Sequence, residues 1–253
     1  MGGAENLVAV DTTSAHVAGA QQLPNVGYQR QLAAEGVLAL APDLLIGSEE
    51  MGPPPVLEQL QRAGVQVERL SAAANVDTLS ETVTRLGQLL NKPELAQQQL
   101  TQFNQRIDSL QTRIQNAQKT HTAPRVLLVF GQGGGNPLVA GQDTIGDWLI
   151  KQAGGDNIAP HQNFRALSTE AMAGMDPEVL IVADRSLRDE AALQGLLEKN
   201  PGLSASSAVR NQRLISLDPT LLVGGLGPRI PAQLEQLMAA FYPASLTSIE
   251  TAP

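Results

Sequence analysis

Residues 93–119, PELAQQQLTQFNQRIDSLQTRIQNAQK, run for 27 positions with no interior glycine or proline. Leu100, Phe103, Ile107, Leu110 and Ile114 follow a 3-4-3-4 spacing, which places them on one narrow stripe of a single helix. Pro93 suits the first turn, where its missing N–H costs no hydrogen bond. A helix of this length spans about 40 Å. The rest of its surface is rich in Gln, Asn and Thr and reads as solvated. A coiled-coil arm would also carry such a stripe, but one short stripe flanked by α/β sequence better fits a rigid connector.

Short apolar strand candidates lie on both sides of it, at 7–10, 44–46, 65–67, 126–130, 179–182 and 214–216. Most alternate with helix-period stretches, the pattern of α/β layers built on mainly parallel sheets. The two flanking regions also resemble each other. Glu35 stands seven residues before Pro42 in EGVLALAPDLLIG, and Glu170 stands seven before Pro177 in EAMAGMDPEVLIV. Each unit reads as a short helix with an acidic start, a Pro-acid turn and a buried strand. A carboxylate at a helix start is favoured by the macrodipole alone, but that does not explain why the whole unit occurs twice. The expected architecture is α/β: two Rossmann-like lobes bridged by one long helix, with a ligand cleft between them. The boundaries are 1–92, 93–120 and 121–253.

Composition narrows the function. The 253 residues contain 17 Lys and Arg against 25 Asp and Glu, for a net charge of −8, and no cysteine. A disulfide framework and a thiolate metal site are excluded. An acidic chain with seven aromatics lacks the basic face of a nucleic-acid binder. Acidic residues outnumber basic ones on both sides of the long segment, so neither lobe is a polyanion reader. No apolar run has the length of a membrane span. The opening residues show neither the basic nor the apolar region of a secretory signal, which by itself reads as cytoplasmic.

The glycine-rich run GQGGGNP at 131–137 follows a strand candidate and invites a nucleotide-binding reading. That fingerprint needs a small residue at position 136 and an immediate helix start. Asn136 and Pro137 stand there instead, and the next helix is expected near Asp143 and Thr144. A backbone loop approaching a flat ligand fits as well. The three histidines, His16, His121 and His161, are not paired at metal-ligand spacing. His121 reads as a helix-end residue; His16 and His161 lie in polar loops. Of the two tyrosines, Tyr242 has nothing around it that points to a site. Tyr28, in LPNVGYQRQL, follows a glycine and precedes Arg30 by two residues. It is either a ring packed at a loop edge with its hydroxyl bonded, or a phenolate ligand for ferric iron, as in tyrosinate-ligated haem, with a nearby arginine favouring the anion.

The runs VAVDTTS (8–14), LPNVGYQRQLAAEGVLALAPDLLIGSE (23–49) and GPPPVLEQL (52–60) together resemble the periplasmic haem-binding proteins of bacterial ABC haem importers. The resemblance continues through 126–144, AGGDNIA (153–159), 167–182 and LLVGGLGPRIPAQL (221–234), nearly the whole chain. It implies a helical-backbone substrate-binding protein, with VGYxR singling out haem among the cargoes of that class. By this resemblance Tyr28 is the axial iron ligand, Arg30 holds the phenolate or a propionate, and Arg229 approaches the ligand. Glu35 and Glu170 would dock onto arginines of the permease dimer. Some members carry a second ligating histidine where this chain has Gln132, so one five-coordinate haem is expected unless His161 swings in. The resemblance also implies a monomeric, non-catalytic, periplasmic carrier. It implies, too, that a leader and the first strand and helix of the amino-terminal lobe precede the point where this chain starts, leaving that lobe's sheet short of a strand. Cobalamin or ferric-siderophore carriage on the same fold is the alternative; a nucleotide-binding α/β enzyme is the more distant one.

Overall fold

The computed structural model describes residues 4–17, 19–131, 137–184, 197–198 and 200–243. The chain separates into two compact units, one of Met1–Thr101 with Val223–Leu226, the other of Gln102–Leu222 with Gly227–Pro253.

In the first unit, α1 (Ala34–Leu38) leads into β1 (Leu44–Ser48), α2 (Pro54–Arg62) and β2 (Gln66–Leu70), followed by α3 (Val76–Leu89). β1 and β2 pair in parallel, Leu44 opposite Gln66 through Ser48 opposite Leu70. A parallel pair needs a crossover, and α2 supplies it. Its apolar side packs Leu60 with Ala34, Val37 and Val65, while Leu57 joins Leu32 and Met51. The side chain of Asn75 caps α3 by accepting from the Thr78 N–H at 2.8 Å, satisfying one of the donors a helix start leaves open. The expected strand at 7–10 does not form. Val10 makes only an isolated bridge to Asn25, and Leu7 and Val8 are exposed. Four apolar residues without a neighbouring strand have no ladder to join.

The long segment is one helix, α4 (Pro93–Gln118). Leu100, Phe103, Ile107, Leu110 and Ile114 are all buried, and Ala96 and Ala117 extend the stripe at either end. Its glutamine-rich face is exposed.

The second unit is built on a mixed sheet of β3 (Arg125–Phe130), β4 (Leu138–Ala140), β5 (Asp156–Asn157), β6 (Phe164–Ala166), β7 (Val179–Ala183) and β8 (Leu214–Leu217). The order is β6-β4-β3-β7-β8, with β5 paired to the start of β3. β3, β7 and β8 run parallel, as the continuous apolar runs predict. β4 and β6 are antiparallel, and three-residue strands of this kind leave no readable alternation. Residues 127 to 129 of β3 and 179 to 181 of β7 have no solvent exposure. The helices are α5 (Ile145–Gln152), α6 (Thr169–Ala173), α7 (Pro201–Ser204), α8 (Ser207–Arg210) and α9 (Ile230–Phe241). α5 starts where expected, after Thr144, whose Oγ1 accepts from the Asp147 N–H at 3.1 Å. Among the described residues no helix is long and apolar enough to cross a membrane.

The repeated motif is a structural repeat. α1 and α6 are both five residues long, and β1 and β7 both begin ten residues after the first residue of their helix. In each copy the residue before the proline, Ala41 or Asp176, takes a left-handed backbone.

α4 meets the end of α9 at Gly154, where φ is +85°. A Cβ there would lie 2.6 Å from Ile114 Cγ2 and 3.0 Å from the Tyr242 hydroxyl. Gly154→Ala is therefore expected to lower stability by about 1–3 kcal/mol. Gly36→Ala, in α1 with open space around it, should raise stability by about 0.4–1 kcal/mol. Urea unfolding of the two variants tests both signs.

Candidate functional site

Tyr28 is set by its backbone before its side chain matters. Asn25 Oδ1 accepts from the Gly27 N–H at 2.8 Å, and the Thr12 N–H donates to the Gly27 carbonyl at 2.8 Å. Gly27 has a φ of +88°, which favours glycine. It turns the chain into a single 3-10 turn, Gln29–Gln31, with Tyr28 as its cap residue. The turn is then stitched to the segment after β1. The Gly52 N–H donates to the Gln29 carbonyl and the Leu32 N–H to the Gly52 carbonyl, both at 2.9 Å. Between them the Ser48 hydroxyl donates to Gln29 Oε1 at 3.0 Å, a buried bond. Gln29 faces inward, so Tyr28 and Arg30 on either side of it project outward, half-buried and exposed respectively.

Arg30 places Nη2 2.6 Å from Glu50 Oε2. That hydrogen bond raises the guanidinium further above its already high pKa; burial opposes the shift, and the charge of Glu50 and then Tyr28 add to it. Arg30 thus senses both residues. The side chains of the ion pair are 48% and 37% exposed, so the pair is worth about 0.2–1 kcal/mol and is readily exchanged for another partner. The Tyr28 hydroxyl makes no hydrogen bond among the described residues.

Tyr242 is the structural tyrosine. It is 1% exposed, donates to the Gly154 carbonyl at 2.5 Å, accepts from Gln118 Nε2 at 3.1 Å and lies edge-on to His121 at 6.4 Å. His121 is a helix-end residue as expected, its N–H donating to the Ala117 carbonyl. His16 is exposed beside the Thr13 carbonyl. His161 sits beside Gly141 and Gln142, its carbonyl accepting from the Gln142 N–H at 2.8 Å. Because β4 runs antiparallel to β3, with Leu138 opposite Phe130, that position is about 10 Å back along β4 from the end of β3. His161 Nε2 is buried with no hydrogen-bond partner among the described residues. Gln132 lies outside the described residues. Among the described residues no group of His, Asp and Glu is arranged to hold a metal ion.

Arg229 caps α9 and lies in the second unit. Its Nη1 is 2.7 Å from Asp218 Oδ2, and its Nη2 donates to Thr220 Oγ1 at 2.8 Å. Burial acts to raise the Asp218 carboxyl, but the hydrogen bonds from Thr220 and Arg229 outweigh it and leave the pKa below the usual value. Glu35 and Glu170 are each the second residue of their short helix, α1 and α6, and both are exposed. Glu170 is held below the usual range by a backbone hydrogen bond at its own N–H and by Ser168. The residue that sequence reasoning missed is Glu50. The EE pair at 49 and 50 was visible, but nothing local showed which carboxylate faces Arg30.

A family model described as "Periplasmic binding protein" matches residues 1–221. The crystal structure of a periplasmic haem-binding protein from Pseudomonas aeruginosa is 53% identical with a TM-score of 0.93, covering 96% of this chain and 87% of that one. A periplasmic haem-binding protein from Roseiflexus sp. RS-1, in apo form, is 35% identical with a TM-score of 0.84, covering 94% and 90%. A vitamin B12-binding protein from Pectobacterium atrosepticum is 29% identical over 185 residues, 72% of this chain. The match spans 65% of that relative's own length, just under two thirds.

The lowered Asp218 value carries a sign. A carboxylate whose folded pKa lies below its unfolded one stabilises the fold fully above the unfolded value, about 3.9, and stops doing so as pH falls through the folded value. Asp218→Asn should therefore unfold more easily than wild type at pH 7, and the gap should close as pH falls below about 4. Urea midpoints for both proteins between pH 2.5 and 7 measure it.

Proposed function

The chain belongs to the periplasmic binding protein family, and from that premise we propose that it captures haem outside the cytoplasm and hands it to an ABC permease. The observation that carries this reading is the pinned turn that presents Tyr28, whose hydroxyl has no hydrogen bond among the described residues, beside Arg30. A phenolate is a hard donor for ferric iron. Arg30 stabilises that anion, or a haem propionate, by charge-assisted hydrogen bonding. Arg229, held in its own unit by Asp218 and Thr220, is the other arginine that this reading assigns to haem. The likeness to two haem-binding proteins over nearly the whole chain supports the cargo.

In this reading the protein is a monomeric carrier with no catalysis of its own and no nucleic-acid partner. Residues 93–120 link lobes of 1–92 and 121–253 in sequence. Haem is bound once, five-coordinate through Tyr28. Glu35 and Glu170 are the permease-docking charges. Their support is that a motif repeated in structure, with an exposed carboxylate at the same helix position in each copy, matches a partner that is itself a two-fold dimer.

Hemin added to the purified protein is expected to give a saturable Soret band at about one equivalent, with high-spin tyrosinate character that Tyr28→Phe removes. That substitution should also weaken binding at least tenfold. An unaltered spectrum in Tyr28→Phe would remove Tyr28 as the ligand. The vitamin B12-binding relative supports a second reading, cobalamin as cargo; cyanocobalamin that displaces hemin stoichiometrically would favour it.

Docking has its own test. Glu35→Ala combined with Glu170→Ala should leave hemin affinity within about twofold of wild type. Transfer to the permease in proteoliposomes should fall by at least about tenfold. Weakened hemin binding in this variant would instead place the glutamates at the ligand.

A further inference from the structure

We propose that Glu50 is a positioning residue of the haem site: it holds Arg30 in the ligand-free protein and keeps bound haem releasable. The inference rests on Tyr28 being the haem ligand. Arg30 and Glu50 are twenty residues apart, yet their backbones are joined on both sides of the ion pair. The Gly52 N–H reaches the Gln29 carbonyl, the Leu32 N–H reaches the Gly52 carbonyl, and Ser48 Oγ reaches Gln29 Oε1. The Met51 N–H closes the intervening turn onto the Ser48 carbonyl at 2.9 Å.

The neighbouring carboxylate is committed elsewhere. Glu49 Oε1 accepts from the Ala72 N–H at 3.0 Å and the Ser71 hydroxyl at 3.2 Å, and Arg69 donates to the Glu49 carbonyl. Glu50 is thus the acid that faces Arg30, at 2.6 Å. The turn sets the two residues within reach of each other by backbone bonds, while the side chains still give up rotamer freedom to form the pair.

Charge then decides what the pair does. A phenolate at Tyr28 and the Glu50 carboxylate compete for the single positive charge of Arg30, and together the three groups carry a net charge of −1. An incoming ligand with two propionates meets an arginine whose charge is already offset. The guanidinium has five N–H donors, and its ion pair with Glu50 engages Nη2, leaving donors for a second acceptor. The pair is also water-exposed on both sides, so it loosens without a large barrier. Glu50 therefore keeps Arg30 ordered and at the same time limits how tightly Arg30 grips. A protein that must surrender its ligand to a partner benefits from that limit.

The experiment measures haem loss from the hemin-loaded protein to excess apomyoglobin, with the tyrosinate absorption band recorded in parallel. Glu50→Gln is expected to slow haem loss about three- to fivefold, the scale of one exposed charge pair, with the tyrosinate band retained. Glu50→Asp, which keeps the charge, should restore the wild-type rate. A purely structural role predicts faster loss in Glu50→Gln, and that result, or an unchanged rate, overturns the proposal. Tyr28→Phe run alongside separates the two levels. If it leaves the tyrosinate band intact, the haem reading at Tyr28 fails and this inference with it. If it abolishes the band while Glu50→Gln has no effect, Glu50 alone is wrong.

Discussion

The burial of one apolar stripe governs this structure. α4 is polar over most of its circumference, so its position depends on the few residues that leave water: Ala96, Leu100, Phe103, Ile107, Leu110, Ile114 and Ala117. Fully burying a Leu, Ile or Phe side chain contributes about 1.5–3 kcal/mol, and no other face of the helix offers a comparable driving force. Each unit holds its share closely. In the first, Gly87 leaves room for Ala96, since a Cβ at Gly87 would lie 2.6 Å from the Ala96 methyl. In the second, Ile114 fits against Gly154, and Gln118 hydrogen-bonds the Tyr242 hydroxyl and the Gly154 carbonyl. Small residues at these points let helices approach where larger ones would hold them apart.

The candidate site follows another logic. Its side chains are partly exposed, and its order comes from backbone. A left-handed glycine, an Asn25 side chain closing the preceding turn, and the pairing of residues 29–32 with 48–52 fix where Tyr28 and Arg30 leave the main chain. The two charged groups then need only rotamer freedom to change partners. This division suits the proposed carrier role: the frame that presents Tyr28 is held by backbone hydrogen bonds, and the ion pair of Arg30 with Glu50 is solvated and weak. Arg229 in the second unit is also a partly exposed guanidinium, steadied by Asp218 and Thr220.

Legibility varied with the range of the interaction. The extent of α4 could be read to within one residue at its end because its period, its proline start and its lack of breakers are all local. The strands at 126–130, 179–182 and 214–216 were legible because parallel, doubly covered strands are continuous apolar runs. The same criterion failed at 7–10, where an apolar run finds only one bridge, and it missed β4, β5 and β6, whose two or three residues are too few for a pattern. Tyr28 stood out by rarity and by its neighbours Gly27 and Arg30. Glu50 did not, since its identity as the Arg30 partner depends on which of two adjacent exposed carboxylates the turn directs to Ser71 and Ala72 and which to Arg30.

Local chemistry in the sequence was thus enough to establish the long helix, the α/β class and the twice-used helix–proline–strand motif, and to single out Tyr28 as the candidate ligand. These are carried by periodicity and residue type within a few positions of one another. The tertiary structure alone decided that residues 223–226 join the first unit, that His161 lies well back from the end of β3, and that Arg30 rests on Glu50. Each of those depends on a hydrogen bond or contact between residues distant in the chain, and such pairings leave no periodic trace in the sequence.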